Sequence, residues 1–145
     1  MKIYIATDHA GFELKNRLKE FLKSMKYDVE DCGAFVFDSL DDYPDFILPA
    51  AKKVADNKNS KGIILGGSGQ GEAMAANRIK GVRAVVYYDG PNEIVKLSRV
   101  HNNANIISFG ARFVSFEKAV EVLNIWLNEE FEGGRHKVRI DKLDL

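Results

Sequence analysis

Five short apolar runs alternate with helical patterns along nearly the whole chain, and this alternation is what most limits its fold. The runs at 2–7, 27–31, 61–65, 83–88 and 105–109 are rich in Val, Ile and Tyr, as strands covered on both faces should be. Helical patterns lie between them at about 11–25, 44–56, 71–80 and 91–101, followed by 115–128 and a basic tail near 134–142. In the first, Phe12, Leu14, Leu18, Phe21, Leu22 and Met25 make an apolar stripe among Lys and Glu. The alternation predicts an α/β domain of three layers, with a five-stranded parallel sheet between helices and right-handed crossovers. The 145 residues contain no linker, repeat or low-complexity segment. They are read as a single domain, 1–145, closed by a basic helix or tail at about 129–145.

Charge and composition remove several function classes. The 21 basic and 21 acidic residues cancel, so bulk charge gives no case for nucleic acid or an anionic membrane. No apolar run approaches the length of a membrane span. The strand pattern begins at Lys2 and leaves no room for a signal peptide, and the single cysteine, Cys32, suits a reducing cytoplasm. No paired Cys or His-x-x-x-His spacing suggests zinc.

Parallel sheets place ligands beyond the carboxyl ends of their strands. There the sequence puts Asp8 and His9, then Cys32, Gly33 and the acidic loop from Asp38 to Pro44. A turn with four glycines follows the third strand, Gly66-Gly67-Ser68-Gly69-Gln70-Gly71-Glu72. Asp89, Gly90 and Pro91 follow the fourth strand, and Gly110 and Arg112 the fifth. His101 and Asn102-Asn103 precede the last strand, so their position depends on how the helix before it ends.

The Gly-rich turn can hold an oxyanion, because its N–H groups converge unobstructed and a helix follows. Without Lys-Ser/Thr it is not a P-loop, and a dinucleotide fingerprint belongs after the first strand, where Thr7-Asp8-His9-Ala10-Gly11 stands instead. A carboxylate at Glu72 would repel a bound anion, unless it takes a proton and the turn stabilises the charge left behind. The plainer alternative is a tight connection with Glu72 merely favouring the helix N-terminus. Asp8 is open to two readings, a cap on helix 11–25 or a proton-transfer partner of His9. His101 ends a helix, where His is often only a dipole partner. Arg112, Arg135, His136, Lys137 and Arg139 could converge on a phosphate or form a solvated basic face. Cys32 reads as a small buried residue, and Tyr43-Pro44 as the start of the second helix with a possible substrate contact from Tyr43.

Together these motifs resemble the ribose-5-phosphate isomerase B family, which includes the galactose-6-phosphate isomerase subunits. The resemblance rests on Asp8-His9-Ala10-Gly11-Phe12, Asp31-Cys32-Gly33, Asp42-Tyr43-Pro44, the turn from Gly66 to Glu72, Ala75-Ala76-Asn77-Arg78, His101-Asn102-Asn103-Ala104-Asn105, Gly110-Ala111-Arg112 and Gly133-Gly134-Arg135-His136. It implies a Rossmann-like (flavodoxin-like) αβα fold and a metal-free, cofactor-free aldose–ketose isomerase working through an enediolate. The backbone amides from Ser68 to Gly71 (Ser68, Gly69, Gln70 and Gly71) and the Ser68 hydroxyl would stabilise that enediolate, with Gly67 among the substrate-binding residues, and Asp8 and His101 would open and close the sugar ring. His9, Arg112, Arg135 and Arg139 would hold the phosphate, with His136 beside them, and Tyr43 and Asn102 would touch the sugar. Members are homodimers or dimers of dimers with sites shared between subunits. Many carry a cysteine base where this chain has Gly66; the chain instead resembles a branch with a glutamate base, which implies Glu72. The helix N-terminus should lower the pKa of Glu72 and desolvation should raise it, and the sequence does not rank the two. Alternatives are the same chemistry on an allose, galactose or tetrose phosphate, or a non-catalytic phosphate- or nucleotide-binding module.

Overall fold

The computed structural model describes residues 1–145. Strands β1 (Lys2–Thr7), β2 (Asp28–Asp31), β3 (Ser60–Gly66), β4 (Ala84–Tyr87) and β5 (Ile106–Gly110) form one parallel sheet in the order β2-β1-β3-β5-β4. Helices are α1 (Phe12–Ser24), α2 (Pro44–Asp56), α3 (Gln70–Ala76), α4 (Asn92–Val100), α5 (Phe116–Trp126) and α6 (Arg135–Ile140), with a 3-10 turn at His9–Gly11. The α/β architecture and five parallel strands are as the alternation predicts. In the flavodoxin order the fourth strand lies fourth; here β5 slots between β3 and β4.

The path of the chain decides which helix covers which face. Right-handed crossovers running in opposite directions across a sheet put their helices on opposite faces. The steps from β2 to β3 and from β3 to β4 run one way, and those from β1 to β2 and from β4 to β5 run the other. Accordingly α2 and α3 cover one face, and α1, α4 and α5 the other. Alternation along the strands feeds both cores. Ile3, Ile5, Ile63, Leu65, Ile107 and Phe109 pack with Leu18, Leu22, Val95, Val122 and Trp126 on one side. Tyr4, Ala6, Ile64 and Ile106 pack with Ile47, Ala50, Ala51, Val54 and Ala76 on the other.

Three local departures have physical causes. The pattern predicts a helix over 71–80, but α3 stops at Ala76 because Asn77 is captured by the edge strand. Its side-chain amide donates to Ala84 O at 3.0 Å and its Oδ1 accepts from Ala84 N at 2.8 Å. Within the α1 stripe, Leu18 and Leu22 are fully buried, whereas Met25 caps the helix and is exposed. In its place Lys15 is fully buried, its Nζ donating to Asp31 at 2.9 and 3.0 Å and to Ala34 O at 2.6 Å. That ion pair fastens α1 to the end of β2. Burial pushes the Asp31 carboxyl up, but hydrogen bonds from Lys15, Gly33 N and Lys19 outweigh it and hold the group below its usual range.

Candidate active site

At the carboxyl edge of the sheet the ends of β1, β3 and β5 lie side by side, with Gly66 paired to Gly110. Asp8 follows β1, is 7% exposed and accepts from Ala10 N at 3.0 Å. It therefore caps the 3-10 turn ahead of α1 and not α1 itself, whose first residue follows Gly11. His9 faces the 38–43 loop. Its Nδ1 lies 2.6 Å from Asp41 Oδ1, which also accepts from the His9 N–H at 3.1 Å. That hydrogen bond is the main reason His9 is held protonated above its ordinary pKa. The second oxygen of Asp41 is buried without a partner.

The Gly-rich turn leaves β3 and enters α3 through Gly69, whose φ of 77° belongs to the left-handed region that glycine adopts freely. Ser108 Oγ donates to Gly69 O at 2.7 Å, and Ala111 N and Arg112 N donate to Gly66 O and Gly67 O at 2.8 and 3.1 Å. The turn is thus laced to the end of β5. Ser68 Oγ accepts from Gln70 N at 3.2 Å. The N–H groups of Gly67, Ser68 and Gly69 donate to no atom of the chain and remain available to a ligand.

Two neighbours approach where a side chain on the turn would otherwise stand. A Cβ on Gly67 would meet the Arg112 guanidinium at 3.1 Å, and one on Gly71 would meet the Tyr43 hydroxyl at 2.8 Å. Gly66 is the tightest case: a Cβ there would lie closer than 3.0 Å to the carboxyl carbon and both oxygens of Glu72. The Glu72 carboxylate therefore occupies the volume that any other residue at 66 would fill. Glu72 is 5% exposed. Burial pushes its pKa up, its own backbone N–H pulls it down, and the Asp8 charge pushes it up again; the net direction is upward. Desolvation thus outweighs the amide effect, the balance the sequence leaves open.

Asp8, His9, Tyr43, Gly67, Ser68, Gly69, Gln70, Gly71, Glu72 and Arg112 are in this way gathered on one edge. The remaining sequence-predicted residues are not. α4 runs back from the carboxyl edge, so its C-cap, His101, and then Asn102 stand at the start of β5 on the amino edge. The C-terminal segment packs there as well, with Glu132 N donating to Val100 O at 3.0 Å. His101 stacks on His136 of α6 with ring centroids 4.2 Å apart and planes at 13°. Arg135 and Arg139 lie on the same helix, none of whose residues is buried. At about 3.3 Å per residue, β5 alone separates the two groups by roughly 16 Å.

Two clusters offer three potential cation ligands each, Asp8–His9–Asp41 and His101–Glu132–His136. In the first, the His9 Nδ1 is already engaged by Asp41. In the second, the two imidazole rings are stacked face to face, and the ligand atoms lie within 4.8 Å of one another. Cys32 is half-buried, and burial pushes its thiol up, away from the nucleophilic thiolate. Asp41 is the residue that motif reading passes over: it lies in the flagged acidic loop, directly before Asp42-Tyr43-Pro44, and only the folded loop aims it at His9.

The sequence model of the Ribose/Galactose Isomerase family matches residues 3–143. A ribose-5-phosphate isomerase B from Mycobacterium leprae is 40% identical over 144 residues, covering 99% of this chain and 88% of that one. The crystal structure of ribose-5-phosphate isomerase B from Mycoplasma genitalium with bound ribulose-5-phosphate superposes with a TM-score of 0.93 at 41% identity, covering 98% of this chain and 93% of that one. The Clostridium thermocellum ribose-5-phosphate isomerase B structure gives 0.93 at 40% identity over 99% and 95% of the two chains. With a family match over nearly its full length and relatives this similar, the chain belongs to the ribose/galactose isomerase family.

Proposed function

We propose that this chain is an aldose–ketose isomerase interconverting ribose 5-phosphate and ribulose 5-phosphate, with Glu72 as the base. The observation that carries the reading is the seat of the Glu72 carboxylate, buried in the volume left by Gly66 beside amides that have no acceptor. A carboxylate whose pKa is raised is a better base, and its burial keeps competing water away. The ribulose-5-phosphate bound to the Mycoplasma genitalium relative supports the choice of substrate.

On the open-chain aldose, Glu72 takes the proton from C2, and the C–H electron pair becomes part of a C1–C2 double bond as the C1 carbonyl oxygen takes the negative charge. The N–H groups of Gly67, Ser68 and Gly69 and the Ser68 hydroxyl receive that charge. The O2 proton passes to O1, and Glu72 returns its proton to C1, leaving the ketone at C2. No metal or organic cofactor is needed for any of these steps. Asp8, with His101 from a second copy, opens and closes the ring. Protonated His9 and Arg112 hold the phosphate, joined by Arg135 and Arg139 of the second copy with His136 beside them. Tyr43, Gln70, Gly71 and Asn102 contact the sugar.

The split of these residues between opposite edges of the sheet supports a homodimer, or a pair of dimers, in which two copies complete each site. A cytoplasmic location is supported by the single thiol; no helix is long and apolar enough to cross a membrane.

The deciding experiment is Glu72→Gln assayed with ribose 5-phosphate in EDTA. Turnover should fall by about 10²–10⁴-fold while substrate binding persists. Near-normal turnover would remove Glu72 from the mechanism, and an activity that depends on added metal would overturn the metal-free chemistry. Folding is checked separately. Because the folded pKa of Glu72 is raised above 4.5, its ionisation costs stability as pH rises past that value, so the Gln variant should be the more stable at neutral pH.

A further inference from the structure

At the amino edge, far from the Gly-rich turn, a polar cavity of about 410 Å³ opens between the end of α2 and the starts of β3, β4 and β5. Lys58, Lys61, Arg83 and Arg99 line it, with Asn103 and Asn105. Arg99 is 7% exposed, and Arg83 and Lys61 are half-buried. None of the four cations takes part in an ion pair.

Their hydrogen bonds go to neutral oxygens. Arg99 donates through Nε to Glu129 O at 3.2 Å and through Nη1 to Asn103 Oδ1 at 3.0 Å and Ala104 O at 2.7 Å. Arg83 donates through Nε to Asn103 O at 2.8 Å and through Nη1 to Gly81 O at 3.3 Å. The Nη2 of each fork has no acceptor in the chain, and Lys61 Nζ meets only the Met1 sulfur at 3.4 Å. Asp144 and Glu130 are the acids whose fields reach the cluster; Asp144 is engaged by Gly81 N at 3.0 Å. Burial lowers the pKa of Arg99, Arg83 and Lys61, and repulsion from Arg83 on Arg99, and from Arg99 on Lys61, lowers it further. Gathering uncompensated cations in a partly buried pocket is costly, and a bound anion relieves that cost.

We propose that this cavity is a second anion site, built for the dianionic phosphoryl group of a small phosphate monoester, with inorganic phosphate as its minimal ligand. Two guanidinium forks with a free Nη2 each and an ammonium suit a tetrahedral oxyanion carrying two charges. The volume leaves room for a small polar substituent on the phosphate. The site shares its arginines with the turn that follows α4: both hold Asn103, whose φ is 45° and which directly follows His101 and Asn102. A phosphate bound here is therefore felt by that turn.

The test is a titration of ¹⁵N-labelled protein with inorganic phosphate, and separately with chloride at matched ionic strength. Phosphate should produce saturable shifts at the Gly81, Arg83 and Asn105 amides, with a midpoint distinct from that at Gly67, Gly69 and Gly71. Arg83→Gln should weaken the amino-edge midpoint by about tenfold. Lys61→Gln, which touches no backbone carbonyl, should weaken it by about threefold and guards against a folding artefact in the first variant. The Gly67–Gly71 response should be unchanged in both. Shifts confined to the Gly-rich turn, amino-edge shifts that chloride reproduces, or a midpoint indifferent to both variants would overturn the proposal. Any of these results leaves the isomerase reading standing.

Discussion

Replacing Gly66 by alanine tests the seat of the base without touching the base. The backbone at 66 is not in a left-handed conformation, so β3 accepts a methyl group there and the strain falls on Glu72. To restore ordinary contact the whole carboxyl group must withdraw by on the order of 1 Å or more. A displacement of that size in a reacting group costs ~10²-fold in rate, and full loss of the general base up to ~10⁴-fold. The assay is ketose formation from ribose 5-phosphate across a pH series. With Glu72 as the proposed base, the rising limb of the wild type should lie above 4.5, because burial raises the pKa of that carboxyl. In Gly66→Ala turnover should drop by at least about 10²-fold with a modest change in KM, and the limb should move toward lower pH as Glu72 reaches water. The double variant with Glu72→Gln should be scarcely worse than Glu72→Gln alone, since both remove the same function. Near-normal turnover with an unmoved limb would refute the argument that one volume serves both residues.

Asp41→Asn removes the largest influence that holds His9 protonated. The His9 cation should then disappear at lower pH, seen in an NMR titration of its ring, and the KM for ribose 5-phosphate near neutral pH should rise by about two- to tenfold with kcat little changed; an unchanged titration contradicts the role given to Asp41. Lys15→Met breaks the buried pair with Asp31 and, with Lys19 still present at 2.9 Å, should cost about 3 kcal/mol in chemical denaturation. Because the Asp31 pKa is depressed, the stabilisation is present above 3.8 and lost as pH falls through the folded value, so wild type and variant should converge in acid. Glu72→Gln and His101→Ala should each be nearly inactive, yet co-refolding equal amounts should restore about a quarter of wild-type activity, because half the dimers are mixed and each has one intact site of two. No recovery on mixing would place both residues in one chain's site.

Period and composition carried the elements well, because buried strands and amphipathic helices leave their mark on each local window. All five strands fall within a residue or two of their apolar runs. What escaped depends on distant partners. The end of α3 is set by Asn77 meeting Ala84, a tertiary contact invisible in an Ala-rich helical run. Lys15 sits among solvated Lys and Glu in the sequence, and nothing local marks it as the buried member. The insertion of β5 between β3 and β4 is likewise a property of the sheet and not of either strand. At the candidate site, Asp8 was legible as an acid directly after the first strand, Ser68 as the hydroxyl of the Gly-rich turn, and Glu72 as a carboxylate set beside an anion-binding turn. The reason Gly66 is a glycine became visible only once the Glu72 carboxylate was seen in its place.

The distance between the two groups of site residues is a rigid quantity. A hydrogen-bonded strand of five residues, Ile106–Gly110, does not shorten by a change of rotamer or the closing of a loop, so a lone chain never brings His101 to Glu72. On the shared-site reading proposed above, competence becomes a function of concentration, because a separated copy holds only one of the two groups within reach of its Gly-rich turn. A fully active monomeric form would need a new piece of chain to deliver an imidazole and the arginines to the other end of the sheet. On that proposed reading, the length of one strand ties the chemistry to assembly.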